Sequence, residues 1–156
     1  MNKTNVMRLL DAAKIPYRTA EYEFDESDLG GMHAAAAIGM PPEQIFKTLV
    51  ARGEKNGYLV FCIPVCCELD LKKAAKAAHD KKVELIHVKE LLPLTGYVRG
   101  GCSPIGMKKQ FPTFADTTIA DGETVFFSGG RVGLQIETTL AALQSVVPVT
   151  LADLTV

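Results

Sequence analysis

One segment of the chain, residues 96–109 (GYVRGGCSPIGMKK), restricts the backbone more than any other. Gly100 and Gly101 lack a Cβ, so their main-chain amides can come close to a ligand or to another part of the chain. Pro104 fixes its own φ and favours an extended conformation for Ser103. Two lysines end the segment with charges that suit a phosphate. The pattern is typical both of an ordinary surface loop and of a backbone-lined pocket beside cations.

A second unusual feature is Lys47, which lies inside the apolar run of residues 45–51 (IFKTLVA). Strand alternation places it on the same face as Leu49 and Ala51. A lysine in such a run can extend its ammonium to solvent along its apolar stem, or it can direct that charge into a pocket. The residues alone leave both interpretations open.

Helical and strand periodicities alternate along the chain. Helical spacing, with its caps and stops, predicts helices over residues 6–13, 33–38, 71–79 and 138–144. Extended patterns predict strands over residues 17–24, 45–52, 58–64, 83–88, 117–120, 124–128 and 131–136, with a short turn at 89–92 before Pro93. We therefore expect a single α+β domain, residues 1–156, with a mixed, largely antiparallel sheet curled into a barrel-like core flanked by helices.

The charges nearly balance, with 17 basic and 18 acidic residues and a net charge of −1 at pH 7. Binding that neutralises many phosphates normally shows a basic excess, so we expect no DNA partner and only a small or shared contact with RNA. The uncharged stretch 138–152 is too short to span a bilayer, and the N-terminus has the pattern of an amphipathic helix and not of a signal peptide. These features predict a cytoplasmic protein without a membrane partner.

The sequence pattern indicates neither a metal site nor a protein nucleophile. The four cysteines lack metal-ligand spacing, and the three histidines show no ligand pairing or nucleophile motif. Cys102 lies in the glycine-rich segment, but a nucleophilic thiol needs an activating base, and the sequence identifies none. We expect no metal and no organic cofactor.

Four motifs in order carry a resemblance to a known family: IFKTLV at 45–50, IPVCCELDLKKAAKA at 63–77, TGYVRGGCSPIGMKK at 95–109 and FFSGGRVGLQIE at 126–137. Together they span nearly the whole chain. The chain resembles the YbaK/EbsC family, which comprises aminoacyl-tRNA editing domains that are also found inserted in bacterial prolyl-tRNA synthetases. The resemblance implies the same α+β architecture.

The resemblance also implies a set of site residues. Lys47 matches the essential lysine of the family's F-K-T motif, and Gly101 matches the glycine whose main chain borders the aminoacyl group in an oxyanion-hole-like wall; these two are the expected catalytic residues. The expected substrate-binding residues are Tyr22, Leu29, Gly100, Ser103, Pro104, Ser128, Gly129 and Gln135.

Two of these positions depart from the family pattern: Leu29 stands where a phenylalanine is common, and Gln135 stands where an aspartate is common. Both departures concern which amino acid is preferred more than the class of reaction.

The function implied is trans-editing, which is the hydrolysis of the ester that joins a wrong amino acid to tRNA(Pro). Cysteine is the main amino acid expected. Family members lack a protein nucleophile, and for Cys-tRNA the substrate's own thiol attacks its ester carbonyl. The expected partners are the acceptor end of tRNA(Pro) and prolyl-tRNA synthetase. Two alternatives are deacylation of Ala-tRNA(Pro) or another small aminoacyl-tRNA, and non-catalytic binding of charged tRNA ends or of the synthetase.

Overall fold

The computed structural model describes residues 2–156, which form five α-helices and eight β-strands. The helices are α1 (Asn5–Ala12), α2 (Gly31–Ile38), α3 (Leu71–Ala77), α4 (Val88–Thr95) and α5 (Leu140–Val146). The strands are β1 (Arg18–Glu21), β2 (Phe46–Gly53), β3 (Gly57–Pro64), β4 (Val83–Leu85), β5 (Thr113–Asp116), β6 (Val125–Ser128), β7 (Leu134–Thr138) and β8 (Val149–Ala152).

The strands form two sheets. Five of them lie in the order β4-β2-β3-β5-β8, and the other three lie in the order β1-β7-β6. Pairing is antiparallel everywhere except where β5 meets β3 and β8. The prediction of an α+β fold with a mixed, largely antiparallel sheet is confirmed.

The expected barrel-like closure is wrong. Within residues 2–156 the only pairing between the two sheets is a parallel bridge of Ile45 with Phe126. Because one bridge cannot continue a ladder, the sheets remain separate and leave a space between them. The sequence pattern also did not indicate β5 and β8, which are only four residues long and follow prolines at 112 and 148.

Two predicted local structures differ from those observed. Residues 117–120, expected as a strand, form a 3-10 helix, because the Asp116 carboxylate caps it by accepting from the Thr118 amide at 3.3 Å. Residues 89–92, expected as a turn, belong to α4, which runs through Pro93. That helix is held at its start by the Glu90 carboxylate, which accepts from the His87 amide at 2.8 Å, and it ends at Gly96 with a left-handed φ of 85°.

The two faces of β2 enter different parts of the core. Phe46 and Val50 pack into the central cluster with the second sheet, whereas Ala51 packs with α3. Thr48 points to the central side, with its Oγ1 3.9 Å from the sulfur of Cys62. Lys47 shares its side of the strand with Ala51, as alternation predicts.

Candidate functional site

A cavity of about 490 Å³ opens between the two sheets. This volume falls in the range of roughly 300–1,000 Å³ that is usual for small-molecule sites. Residues of β2 form one wall, Ser128 of β6 and Gln135 of β7 form another, and residues from α2, the β4–α4 junction and the loop before β5 complete it. The lining is mainly apolar and includes five titratable side chains: Tyr22, Lys47, His87, Arg99 and Cys102.

No aspartate or glutamate is among the residues of the described chain, 2–156, that line the cavity. Lys47 and Arg99 therefore make the cavity electropositive. An anionic group such as a phosphate, or an oxygen that gains charge during a reaction, is favoured there.

The structure brings together six of the ten expected site residues. The cavity is lined by Tyr22, Leu29, Lys47, Gly100, Ser128 and Gln135. The other four do not line it; they are Gly101, Ser103, Pro104 and Gly129.

Lys47 is half-buried in the middle of the pocket wall, paired through its backbone with Ile63 of β3. Its side chain makes no hydrogen bond or ion pair with another residue in the part of the chain that is described. The Lys47 charge acts on the Cys67 thiol: burial raises the pKa of that thiol, and the Lys47 ammonium opposes the rise. No other described residue therefore pairs with the ammonium.

The Gly100–Gly101 turn is held close to two other segments. Gly100 has a φ of +82°, and a Cβ there would lie 3.0 Å from the Leu29 carbonyl oxygen. A Cβ on Gly101 would lie 3.0 Å from main-chain atoms of Arg131 and Val132. A side chain at either position would crowd these neighbouring segments, and at Gly100 the left-handed φ also favours glycine.

The Gly101 amide is already used inside its own loop, where it donates to the Val98 carbonyl at 3.0 Å. It is therefore not placed as a free donor for the aminoacyl group, and Gly101 lies behind the cavity wall. A catalytic role for Gly101 stays a prediction based on the family motif.

Ser103 and Gly129 support the wall from behind, and Pro104 is buried next to Ser103. The fully buried Ser103 hydroxyl accepts from the Ile105 amide at 3.3 Å. The Gly129 amide donates to the Leu134 carbonyl at 2.9 Å, and a Cβ on Gly129 would come within 2.7 Å of the Leu134 side chain. These contacts fix the turns that carry Gly100 and Ser128.

Gln135 lines the cavity and carries a buried acceptor without a hydrogen-bond partner among the described residues. It is the second residue of β7, which is the central strand of its sheet, and it pairs with Ala20 on one side and Ser128 on the other. Its side chain is 6 % exposed, and its Oε1 has no hydrogen-bond partner among the described residues. A buried carbonyl left unpaired costs about 1–3 kcal/mol, so a ligand that donates a hydrogen bond here gains affinity.

The cysteines of the interior are not activated. Burial, reinforced by the neighbouring Cys62, raises the pKa of the Cys102 thiol to about 12, and burial raises that of Cys62 to about 12. At neutral pH the thiolate fraction of such a group is on the order of 10⁻⁵, too small for a nucleophile. No three His, Cys, Asp or Glu side chains are grouped as metal ligands within residues 2–156.

The sequence reasoning missed several contributors to the cavity, among them Arg99, His87 and the α2 residue Met32. Arg99 directly precedes the glycine pair, and that adjacency is a signal that could have revealed it. No sequence pattern identifies the other two, because they reach the cavity only through the packing of α2 and the β4–α4 junction.

Comparison with known proteins places this chain in a family. The family model described as an aminoacyl-tRNA editing domain matches residues 32–146. The chain therefore belongs to the aminoacyl-tRNA editing domain family.

Within that family, the chain is 45% identical over 153 residues to EbsC of Enterococcus faecalis, named as a proposed Cys-tRNA(Pro)/Cys-tRNA(Cys) deacylase; the match covers 98% of this chain and 93% of EbsC.

Solved structures show the same fold. A proposed trans-editing enzyme for prolyl-tRNA synthetase superposes with a TM-score of 0.82 at 25% identity, covering 99% of both chains. The hypothetical protein APE2540 superposes with a TM-score of 0.88 at 23% identity, covering 98% of this chain and 100% of the other. No helix within residues 2–156 has the length and apolar character needed to cross a membrane.

Proposed function

We propose that this protein is a trans-editing aminoacyl-tRNA deacylase whose preferred substrate is Cys-tRNA(Pro). The observation that carries the proposal is the cavity between the sheets, in which an unpaired lysine of the F-K-T motif lies in a mainly apolar wall. The likeness to EbsC, named for Cys-tRNA(Pro) and Cys-tRNA(Cys), supports the choice of cysteine.

The proposed chemistry needs no protein nucleophile. The substrate thiol sulfur attacks the carbonyl carbon of its own ester, the bond from that carbon to the ribose oxygen breaks, and the thiol proton passes to the departing oxygen. The cysteine leaves as a cyclic thioester, which water then opens to free cysteine. The protein supplies position, which can lower such a barrier by ~7–11 kcal/mol, and positive charge near the developing anion. The high pKa of Cys102 agrees with this division of labour.

The purpose of such an activity follows from the limits of recognition. A synthetase site rejects a side chain of similar size by only ~10–200-fold, so a second site that removes errors improves fidelity. Leu29 and Gln135 line the cavity at the two positions that depart from the family pattern. A smaller apolar wall and a neutral acceptor there favour a small side chain that carries a donor, such as a thiol.

The proposed partner is prolyl-tRNA synthetase while it still holds the mischarged product. With a net charge of −1, the isolated chain has no excess of positive charge with which to select a tRNA body. Selectivity for tRNA(Pro) would then come from the synthetase.

The test is incubation of the purified protein with Cys-tRNA(Pro), Cys-tRNA(Cys), Ala-tRNA(Pro) and Pro-tRNA(Pro), with release of the amino acid measured. Fastest turnover of the two cysteinyl-tRNAs is expected. Faster turnover of Ala-tRNA(Pro) would instead establish the alanine alternative, and retention of charged tRNA without release would establish a binding module.

A further inference from the structure

The most distinctive unexplained feature of the cavity is the strand edge that forms its wall. β2 is paired along its full length with β3 on one edge. On its other edge, β4 pairs only with residues 51–53, and β6 only with Ile45. The cavity lies against the residues between these two contacts, 46–50.

The alternation of backbone hydrogen bonds along β2 shows which backbone groups lie on this open edge. The Val65 amide donates to the Ile45 carbonyl at 2.9 Å, so odd-numbered residues of β2 direct their N–H and C=O towards β3. The Ile86 amide donates to the Val50 carbonyl at 3.2 Å, which confirms that even-numbered residues direct theirs towards the other edge. Thr48 is the even residue midway between the two contacts.

Both backbone groups of Thr48 therefore border the cavity, and neither forms a hydrogen bond with another described residue. The Thr48 side chain does not cover them, since its hydroxyl lies against Cys62 on the core side. The N–H and C=O of one residue on an open edge can accept a partner residue by a paired donor and acceptor, as in an antiparallel ladder.

The cavity wall has no carboxylate, yet an aminoacyl ester carries an α-ammonium that needs acceptors. Two neutral acceptors of the lining residues are the Thr48 carbonyl and the unpartnered Gln135 Oε1.

We propose that the open edge of β2 at Thr48 binds the main-chain part of the aminoacyl group. The Thr48 carbonyl accepts from the α-ammonium, together with Gln135 Oε1, and the Thr48 amide donates to the ester carbonyl oxygen. This inference rests on the proposed deacylase function. It assigns to Thr48 the oxyanion-type donor that Gly101, with its amide bonded to Val98, does not provide.

Edge pairing of this kind recognises what all aminoacyl esters share, because it uses main-chain groups alone. Discrimination between amino acids is then left to the side chains that line the rest of the cavity, including Leu29 and Gln135. Main-chain pairing at Thr48 is thus a separate task from side-chain selection, and Gln135 contributes to both.

The first experiment is amide hydrogen exchange of the ¹⁵N-labelled protein by NMR. In the free protein we expect the Thr48 amide to exchange at least ~10-fold faster than the Leu49 amide, which bonds to β3 and serves as the internal control. Adding the non-hydrolysable 3′-(L-cysteinylamino)-3′-deoxyadenosine should shift the Thr48 amide resonance and slow its exchange. The analogue without the α-amine, 3′-(3-mercaptopropionylamino)-3′-deoxyadenosine, should bind at least ~10-fold more weakly.

The second experiment compares Thr48→Pro with Thr48→Val in deacylation of Cys-tRNA(Pro). Proline removes the amide without breaking a bond to β3, a position where an edge strand tolerates it. Valine keeps the amide and measures what the hydroxyl contributes. We expect kcat/KM of Thr48→Pro to fall at least ~10-fold below that of Thr48→Val, with circular dichroism checking the fold of both.

The outcomes separate this inference from the proposed function. If Cys-tRNA(Pro) is hydrolysed but the Thr48 amide of the wild-type protein neither shifts with the analogue nor exchanges faster than that of Leu49, the edge proposal is overturned and the function stands. Equal activity of well-folded Thr48→Pro and Thr48→Val would also overturn it. If no aminoacyl-tRNA is hydrolysed although Thr48 exchanges rapidly, the proposed function fails.

Discussion

Replacing Lys47 by methionine should abolish most of the activity and leave the fold intact. The substitution keeps an apolar stem of similar length and removes only the ammonium. That ammonium is half-buried and has no hydrogen bond or ion pair within residues 2–156, so its loss should change the free energy of unfolding by less than ~1 kcal/mol. An electrostatic group aimed at a developing oxyanion contributes ~10²–10³-fold to kcat, and we expect a loss of that size in kcat/KM.

The assay is release of cysteine from Cys-tRNA(Pro) under single-turnover conditions, with urea unfolding of the same preparations. Lys55→Met is the matched control, because Lys55 is an exposed lysine in the turn that follows β2. It should match the wild type in both measurements. Near wild-type turnover by Lys47→Met would refute the reasoning, and a loss of stability of several kcal/mol would show that Lys47 acts on the fold instead.

Three further predictions follow from the cavity wall and from charge. Cys102→Ala should retain most deacylase activity, because burial raises the pKa of its thiol to about 12; a loss beyond ~100-fold in a folded variant would indicate covalent catalysis. Gly101→Ala should lower the free energy of unfolding by about 1–3 kcal/mol in urea titrations, since its Cβ would lie 3.0 Å from main-chain atoms of Arg131 and Val132; an unchanged midpoint would contradict this. The salt dependence of tRNA binding should be shallow, with a slope that reflects about two to four phosphates, and prolyl-tRNA synthetase should sharpen the preference for tRNA(Pro); a steep slope would indicate a dedicated RNA-binding face.

The buried thiols of Cys62 and Cys102 make the free energy of unfolding depend on pH in the alkaline range. The folded pKa of Cys62 and of Cys102 is raised from 9.0 to about 12, so the unfolded chain loses these protons first. The contribution of the two protonated thiols to the free energy of unfolding is complete below pH 9 and is lost as the pH rises towards 12. Urea midpoints measured from pH 8 to 11 should fall, and the fall should be smaller in the Cys62→Ala, Cys102→Ala double variant; an equal fall would show that other groups cause it.

The sequence predicted the parts of this protein that depend on local pattern. The strand that contains Lys47 and the hairpin to β3 follow from alternation and turn residues, and the structure confirms both. The strand predicted at residues 117–120 is wrong, because the Asp116 carboxylate caps a 3-10 helix there and this outweighs strand propensity. The predicted barrel-like closure is wrong, because closure depends on whether β6 continues its pairing with β2. That pairing joins residues far apart in the chain, so a local sequence pattern does not indicate it.

The glycine pair shows a second limit of sequence reasoning. A glycine doublet indicates that something lies close to the backbone, and the structure agrees at both positions. It does not indicate what lies there. At Gly101 the neighbour is the main chain of residues 131–132, and the amide is bonded to Val98, so the expected free donor is used up by the turn itself.

The open edge at Thr48 could not be predicted either, and the reason explains how the fold makes a site. β2 and β3 are each eight residues long, but β4 has only three and begins its pairing at Ala51. The chain leaves β4 after Leu85 and enters α4 at Val88, so the ladder stops where the cavity begins. Unpaired strand groups are normally a hazard that proteins cover, but here α2 and the β4–α4 junction wall the edge into a pocket instead. A longer β4 would satisfy Thr48 and close the cavity, so the length of one short strand decides whether this sheet has a binding site.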